Sequence, residues 1–321
     1  DHRDLHSFPT RRSSDLSRKL TVNLGLRYEL YPLMTRADRG LERWDPFTNK
    51  VYLGGIGGNP MNVGIDVSRK LFAPRVGIAY RLSDKTVIRT GYGMNSDPAS
   101  FARPLRAIYP SVVEATSIGV NTFTPFRPVE QGIPAIPIPD ISSGVINLPA
   151  TVSMGPRSPW GGLMSRGYIQ SWNFTLEHRL PGDLIGTAAY VGTQSTKMLA
   201  DRDFNAAAPG AGQLGRPLYA TIGRAVESLM WDSWASSNYH SLQLSLNRQF
   251  SNGLMLKGAY TWSKAINLTD DAAWAGMSWN WEPMLDRNRA RAGYDRTHML
   301  VMGASYEFPF GPGKRMASEG W

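Results

Sequence analysis

Residues 239–267 read YHSLQLSLNRQFSNGLMLKGAYTWSKAIN, and this stretch decides the fold. Apolar and polar side chains alternate along both of its halves, which are separated by Ser251-Asn252-Gly253. Asn and Gly tolerate positive φ, so this tripeptide predicts a tight turn. Alternation with a period of two on both sides of a turn predicts an antiparallel β-hairpin with one apolar face.

The same alternation recurs along the chain and predicts about eight strands in all. Their length is close to the ~9–11 residues that a tilted strand needs to cross a bilayer. The predicted strands are Lys19–Leu30, Phe72–Ser83, Thr86–Asn95, Tyr168–Leu180, Leu184–Thr193, Tyr239–Phe250, Leu254–Lys264 and Thr297–Phe310.

The connections between these strands alternate between long and short. The short ones are Ser83–Lys85, Pro181–Asp183 and Ser251–Gly253, and the long ones are Tyr31–Leu71, Ser96–Gly167, Gln194–Asn238 and Ala265–Arg296. In an antiparallel meander this places every long loop at one end of the sheet. Outer-membrane barrels show this asymmetry, with tight turns at one rim and long loops at the other. The strands of a soluble β-sandwich also alternate apolar and polar residues, because one face of each sheet packs on a core. A sandwich therefore remains the competing fold.

Composition and charge exclude several other classes of protein. No stretch approaches the ~18 apolar residues of a transmembrane helix. The net charge is +9, but the basic residues are scattered and form no run of five, so we expect no nucleic-acid partner. The chain has no Cys, which excludes thiol nucleophiles and fits an exported protein as well as a reducing compartment.

Aromatic residues on the predicted apolar face cluster toward the ends of the strands. Such clustering is typical of the aromatic girdles at the two membrane interfaces, although strands favour aromatics in general. The predicted interface aromatics are Tyr28, Trp172, Tyr260 and Trp262 near the long loops and Phe250, Phe308 and Phe310 near the short turns.

No catalytic, cofactor or metal site is predicted, and we expect the chain not to be an enzyme. His178, His240 and His298 lack the spacing of a metal-binding pair, and no GxSxG motif is present. Asp201-Arg202-Asp203-Phe204-Asn205 echoes the start of a calcium loop but lacks its Gly and distal Glu. Residues 295–298, DRTH, precede a strand and are predicted to tie a loop base to the sheet.

The long C-terminal loops carry the candidate ligand site, because Trp and carboxylates lie close together there. Exposed Trp faces stack on sugar rings, and carboxylates accept from sugar hydroxyls. The alternative is that these Trp side chains pack the loops against each other or cover the mouth of the barrel. The candidate residues are Trp231, Trp234, Asp270, Asp271, Trp274, Trp279 and Trp281, with Asp232 and Glu282 beside them.

Residues 1–16, DHRDLHSFPTRRSSDL, differ from the rest of the chain and show no strand or helix period. They resemble a translated sequencing-adapter sequence found at the ends of metagenomic reading frames. We therefore predict an artefactual, disordered tail over 1–16 and a partial outer-membrane β-barrel over 17–321.

Four segments resemble the barrel of TonB-dependent receptors, and most closely the Oar-like type with a carboxypeptidase-regulatory-like domain. They are Leu71–Met94, Gln170–Met198, Tyr239–Asn267 and Arg291–Lys314. The resemblance implies a 22-stranded barrel in the outer membrane of a Gram-negative bacterium, a plug domain and energised nutrient uptake. Since the plug, the TonB-contacting segment and many of the strands are absent from this sequence, we expect a fragment of such a barrel. The alternative is that the eight predicted strands close by themselves into a small, eight-stranded barrel.

The resemblance also implies the partners. These are lipid and lipopolysaccharide of the outer membrane, the TonB complex through the absent N-terminal part, and a nutrient. The sequence does not identify the nutrient, and an oligosaccharide is a candidate only because of the Trp and carboxylates of the long loops. Two other functions stay open at this point. One is an adhesion or structural barrel without active transport, and the other is a soluble carbohydrate-binding β-protein.

Overall fold

A computed structural model describes residues 10–33, 37–97, 123, 127–132, 140–148, 159–251, 253–270, 277–311 and 316. Almost all of its regular structure is β. The strands are β1 (Thr10–Ser17), β2 (Leu20–Glu29), β3 (Glu42–Asp45), β4 (Lys50–Leu53), β5 (Asp66–Val67), β6 (Leu71–Ser83), β7 (Thr86–Ser96), β8 (Val145–Asn147), β9 (Leu163–Met164), β10 (Tyr168–Leu180), β11 (Leu184–Asp203), β12 (Leu229–Ser251), β13 (Leu254–Asn267), β14 (Ala290–Arg291) and β15 (His298–Tyr306).

The helices are short. One α-helical turn, α1, covers Tyr219–Ile222, and 3-10 segments cover Val129–Gln131, Trp160–Gly162 and Glu282–Asn288. In the described part of the chain, no helix is long and apolar enough to span a bilayer.

One antiparallel meander contains all eight predicted strands, which confirms the predicted fold class. The strand order is β1-β2-β6-β7-β10-β11-β12-β13, and β13 continues its pairing with β15 and, near the loops, with β14. Every neighbouring pair is antiparallel. Strands β1 and β15 lie at opposite edges and do not pair with each other over the described residues, so the sheet is open.

The strand register aligns the apolar side chains of neighbouring strands on one face. Leu24 lies opposite Val76, and Leu244 lies between Ala188 and Tyr260. The aliphatic side chains of this face are exposed: Leu24 by 54%, Val76 by 39% and Leu244 by 41%. A contiguous apolar face of this extent marks a surface that contacts something other than water, and lipid is the medium expected around a barrel.

The opposite face is polar, and its side chains bond to one another. Arg27 and Arg75 both donate to Oδ1 of Asn95, at 3.1 and 2.8 Å. Arg89 pairs with Glu177 at 2.8 Å across the β7–β10 ladder. Such pairing suits a hydrated surface, on which neighbouring polar side chains satisfy one another.

Residues 10–16 correct the prediction of a disordered tail. β1 includes them and pairs with β2 from Thr10↔Leu26 to Ser17↔Leu20. The physical reason is that β2 presents an open edge of unpaired N–H and C=O groups, which a segment can pair with even when its side chains do not alternate. Their resemblance to an adapter sequence stays a prediction.

The last predicted strand is shorter than expected, since β15 ends at Tyr306 rather than at Phe310. Tyr306 pairs with Leu254, the first residue of β13, so the ladder ends where its partner strand begins. Phe308 and Phe310 therefore follow the strand, and both are exposed. Phe250, Tyr28 and Trp262 are exposed near strand ends, while Trp172 and Tyr260 are half-buried. Contact of these aromatics with the membrane interface stays a prediction.

The hairpin of β11 and β12 extends about ten residues further into the loops than the alternation predicted. Its register shifts between Ser195 and Met198, where Lys197 takes a positive φ of 54°. A bulge changes which side chains share a face. The alternation of apolar and polar residues in β11 is therefore interrupted at this point, so the pattern did not predict the part of the strand that follows the bulge.

The hydrophobic core lies in the long loops rather than in the main sheet. We call it the loop cap: residues 37–67, 140–148 and 163–164 packed on the extended ends of β11 and β12. It contains a three-stranded sheet, β3-β4-β8, and the parallel pair β5–β9. Its buried side chains form two clusters: Leu41, Val63, Ile65, Met164, Leu199 and Trp231, and Trp44, Val51, Leu53 and Met230. Strands of two to four residues are too short to show a periodicity, so the sequence did not predict them.

Candidate functional site

The connection between β11 and β12, residues 204–228, is held together by one buried asparagine. Nδ2 of Asn205 donates to the carbonyl oxygens of Arg224 and Val226, at 2.9 and 2.8 Å. Its Oδ1 accepts from the amide of Leu218 at 2.8 Å. A single side chain thus satisfies three backbone groups that would otherwise be left unpaired inside the loop.

A carboxylate at the end of β11 fixes the two ends of this loop. Oδ1 of Asp203 accepts from the amides of Asn205 and Ser228, at 2.9 and 2.8 Å. Its Oδ2 pairs with Nη1 of Arg216 at 3.2 Å, and that guanidinium also donates to the carbonyl of Asn205 at 2.8 Å. The segment that resembles the start of a calcium-binding loop therefore contributes two side chains, Asp203 and Asn205, that hold this connection closed.

Arg224 attaches the loop to the loop cap. Its guanidinium is fully buried, lies 5.0 Å from the centroid of the Trp44 ring and donates to Oδ1 of Asn49 at 3.5 Å. Burial lowers the pKa of Arg224, and the carboxylate of Asp203 opposes that shift. Burial of a cation is costly unless it is partnered, so this contact fixes the position of the loop tightly.

The second wall of the site comes from the connection between β13 and β15. Asn288 accepts from the amide of Trp279 at 3.1 Å and donates to its carbonyl at 2.7 Å. The guanidinium of Arg287 lies 5.5 Å from the centroid of the Trp279 ring. These contacts hold the backbone of Trp279 while its ring stays 37% exposed.

A cavity of about 590 Å³ lies between these two loops. Trp279 and Trp281 line one side, and Asp203, Arg216 and Glu227 line the other. The site therefore combines two aromatic rings with charged groups of both signs. Such a site can stack the flat apolar face of a ligand and hydrogen-bond to its polar edge.

Trp231 corrects the predicted ligand site. It is only 2% exposed and belongs to the core of the loop cap, beside Leu41 and Ile65. Trp234 is half-buried and does not line the cavity between the loops, and its indole N–H has no hydrogen-bond partner among the described residues. Trp231 therefore fits the alternative interpretation, that the Trp side chains pack the loops together, because it lies in a core cluster with residues of the loop cap such as Leu41 and Met164.

The predicted acidic residues are engaged in contacts within the protein. Asp270 accepts from Nδ2 of Asn267 at 2.7 Å and from the amide of Gly293 at 3.0 Å. The Asn267 bond and then the Gly293 bond lower the pKa of Asp270. Asp232 pairs with Arg202 at 2.9 Å, and Glu282 pairs with the same guanidinium at 3.4 Å.

Two further predicted residues, Asp271 and Trp274, lie outside the described residues. Of the predicted set, the cavity brings together Trp279 and Trp281. The sequence did not predict Arg216 and Glu227 as partners, since they lie about 50 to 65 residues away in another loop and no local pattern marks them.

The segment DRTH ties the loop base to the sheet, as predicted. Oδ1 of Asp295 accepts from the amide of Ala265 at 2.7 Å, and Thr297 donates to Oδ2 at 3.0 Å. Ser263 donates to the carbonyl of Arg296 at 2.8 Å. The amide of Ala265 is the main reason that the pKa of Asp295 is lowered. Within the described ranges, no group of three or more His, Asp or Glu residues could hold a metal ion.

Comparison with known families gives one match that covers nearly the whole chain. The profile of the family described as outer membrane beta barrel domain matches residues 15–321. No curated protein matches the sequence significantly.

Similar solved structures include three outer-membrane receptors. The ferripyoverdine receptor of Pseudomonas aeruginosa is 11% identical with a TM-score of 0.42, over 92% of this chain and 25% of that one. The siderophore receptor PiuA from Acinetobacter baumannii is 11% identical with a TM-score of 0.45, over 92% and 30%. The ferric-catecholate import receptor Fiu from E. coli K12 is 10% identical with a TM-score of 0.44, over 92% and 31%. The chain thus spans between a quarter and a third of the length of these structures.

Proposed function

Since the chain belongs to the outer membrane beta barrel domain family, we propose that it is the barrel portion of a receptor that takes up a nutrient across the outer membrane of a Gram-negative bacterium. Membership of this family rules out the soluble carbohydrate-binding protein. The observation that carries the proposal is the cavity between the loops 204–228 and 277–289, at the end of the sheet where all long connections lie. A ligand arriving from outside the cell meets this end first.

The chemistry of the cavity favours an oligosaccharide. Trp279 and Trp281 offer ring faces for stacking on the apolar side of a pyranose. Glu227 and Arg216 offer an acceptor and a donor for the hydroxyl groups at the sugar's edge. The volume of about 590 Å³ lies within the range of small-molecule sites, ~300–1,000 Å³, and suits one or two sugar units.

Active uptake requires a source of energy, and the TonB complex is the proposed one. The proposed contact with TonB is made by a part of the gene product other than this chain. A plug and a TonB-contacting segment encoded upstream in the intact gene would support uptake over adhesion. Lipid and lipopolysaccharide are the proposed surroundings of the outward face.

Binding to purified outer membranes that contain the receptor tests the ligand class. Tryptophan fluorescence is titrated with a panel of neutral and acidic oligosaccharides and, separately, with ferric siderophores. We expect Trp279→Ala to weaken oligosaccharide binding about tenfold, because a stacked aromatic ring contributes roughly 1 kcal/mol or more. Tyr294→Ala is the matched control, since Tyr294 is an exposed loop aromatic that does not line the cavity.

Three outcomes separate the functions. Uptake of the bound sugar that stops on dissipation of the proton gradient supports the receptor. Sugar binding without energy-dependent uptake supports the adhesion barrel. Equal affinities of wild type and Trp279→Ala, or binding of siderophores alone, contradict the oligosaccharide site.

A further inference from the structure

Arg216 lines the cavity between the loops, and the protein holds its guanidinium from one side. Nη1 donates to the carbonyl of Asn205 at 2.8 Å and to Oδ2 of Asp203 at 3.2 Å. The backbone of Arg216 is fixed as well, since its amide donates to the carbonyl of Gln213 at 3.1 Å and its carbonyl accepts from the amide of Tyr219 at 3.0 Å. The orientation of this guanidinium is therefore set before a ligand arrives.

This anchoring leaves one edge of the Arg216 guanidinium open. Nε and Nη2 make no hydrogen bond with the described part of the chain, and the side chain is 24% exposed. An arginine presents two parallel N–H groups along its Nε–Nη2 edge, at the spacing of the two oxygens of a carboxylate. The open edge can therefore bind a carboxylate through two charge-assisted hydrogen bonds.

Asp203 also lines the cavity, but its carboxylate is already engaged by the protein. Oδ1 accepts from two backbone amides and Oδ2 from Arg216, and the side chain is only 6% exposed. The buried guanidinium of Arg224 lies close enough to act on the same carboxylate. Two guanidinium groups thus accompany one carboxylate at this end of the cavity, and the excess positive charge favours an anionic ligand.

Among the described residues, the third charged side chain of the lining is Glu227, and it is exposed. Its charge is hydrated and screened by salt, whereas Arg216 lies in a partly buried position where charges interact more strongly. Glu227 therefore weakens the attraction of the cavity for an anion without cancelling it.

The opposite side of the cavity offers the rings of Trp279 and Trp281. The backbone of Trp279 is held by Asn288, and its ring is 37% exposed. A pyranose stacks its apolar C–H face on such a ring. In a hexuronic acid the carboxylate projects from the edge of the pyranose, so one sugar unit carries both the face for a tryptophan and the anion for an arginine.

We propose that this cavity selects acidic sugars: the Nε–Nη2 edge of Arg216 binds the carboxylate of a hexuronic acid while the pyranose stacks on Trp279. The inference rests on the proposed function, because it names the class of oligosaccharide that the same cavity accepts. A neutral sugar also stacks on the aromatic side, but it leaves the open edge of Arg216 to water. Arg216 is thus the residue that determines specificity, and Trp279 contributes to the binding of neutral and acidic sugars alike.

Digalacturonate and its methyl ester test this selection, because the ester keeps both sugar rings and removes the negative charges. Tryptophan fluorescence of purified outer membranes that contain the receptor is titrated with each sugar. We expect the wild type to bind the acid about tenfold or more tightly than the ester, since hydrogen bonds to charged groups contribute at least that much. In Arg216→Gln the preference should disappear while the affinity for the ester stays the same.

Three further variants separate the open edge from charge in general. Glu227→Gln removes a negative charge from the lining, so the preference for the acid should rise a few-fold. Arg216→Lys keeps the charge but lacks the two parallel donors, and it should recover only part of the preference. Arg291→Gln is the matched control, since Arg291 is 65% exposed and does not line the cavity, and it should keep the wild-type preference.

Several results would overturn the selection. Equal affinity of the wild type for the acid and the ester would do so while the oligosaccharide site itself stands, and so would an unchanged preference in Arg216→Gln or a reduced one in Glu227→Gln. The wild-type and Glu227→Gln measurements need no change at Arg216, so they decide the question even where Arg216→Gln misfolds. If neither sugar binds the wild type, the oligosaccharide site is wrong, and the selection falls with it.

Discussion

Replacing Leu244 by arginine tests which face of the sheet contacts lipid. Leu244 lies between Ala188 and Tyr260 on the apolar face and is 41% exposed. It precedes the last residue of β12, Ser251, by seven residues. At ~3.3 Å per residue and a tilt of ~40°, its height above the turn is roughly 17 Å. Allowing a few ångströms for the turn outside the hydrocarbon, Leu244 lies near the middle of the ~25 Å apolar band.

The expected cost follows from this depth. An arginine on the lipid face of a barrel destabilises it by about 2–4 kcal/mol at the bilayer midplane and by about 0–1 kcal/mol near the interface. We therefore expect Leu244→Arg to lower the free energy of unfolding by about 2–4 kcal/mol. The native sequence has an arginine on the same face of β12, Arg248, but it lies only three residues from Ser251. At that position, close to the turn and the membrane interface, the cost of an arginine is small.

Ser245→Arg is the matched control, one residue further along the same strand. Ser245 lies between Thr187 and Ala259 on the polar face, and its hydroxyl is 3.4 Å from Nδ2 of Asn247. An arginine there enters a hydrated surface, so we expect a loss below about 1 kcal/mol. Reversible urea unfolding of the receptor in lipid vesicles, followed by tryptophan fluorescence, measures both values. Equal losses, or a larger loss for Ser245→Arg, would refute the assignment of the two faces.

Two further predictions concern the loops. Trp231→Ala removes a buried ring from the cluster that includes Leu41, so we expect the loop cap to lose about 3–5 kcal/mol of stability. Limited proteolysis should then cleave residues 37–67 faster than in the wild type, while the heat-modifiable gel migration of the barrel stays unchanged. The hydrogen bonds from Asn267 and Gly293 lower the pKa of Asp270, so they stabilise the folded loop above the ordinary pKa of aspartate and lose that effect as the pH falls through the lowered value. Protection of the Gly293 amide against hydrogen exchange, taken relative to the intrinsic exchange rate at each pH, should therefore fall on acidification in the wild type and be low at every pH in Asp270→Ala; protection in the variant that still falls with acid would contradict this.

The candidate site could be predicted only in part from the sequence. Clustered Trp and carboxylates pointed to the two loops that border the cavity, and Trp279 and Trp281 line it. Composition alone cannot separate an exposed Trp from a core Trp. Trp231 is a core residue because loop-cap residues such as Leu41 and Ile65 pack on it. Asp203 and Arg216 come from a different loop, and their approach to Trp279 depends on tertiary packing.

What the sequence determined by itself is the meander and the chemistry of its two faces. A period of two requires only local geometry, since successive side chains of a strand point to opposite sides, and short turns such as Pro181–Asp183 join neighbours in order. The tertiary structure alone decided the loop cap, its cores and the cavity between the loops. These depend on contacts between residues far apart in the chain, such as Arg224 with Trp44, and no local periodicity encodes which distant segments meet.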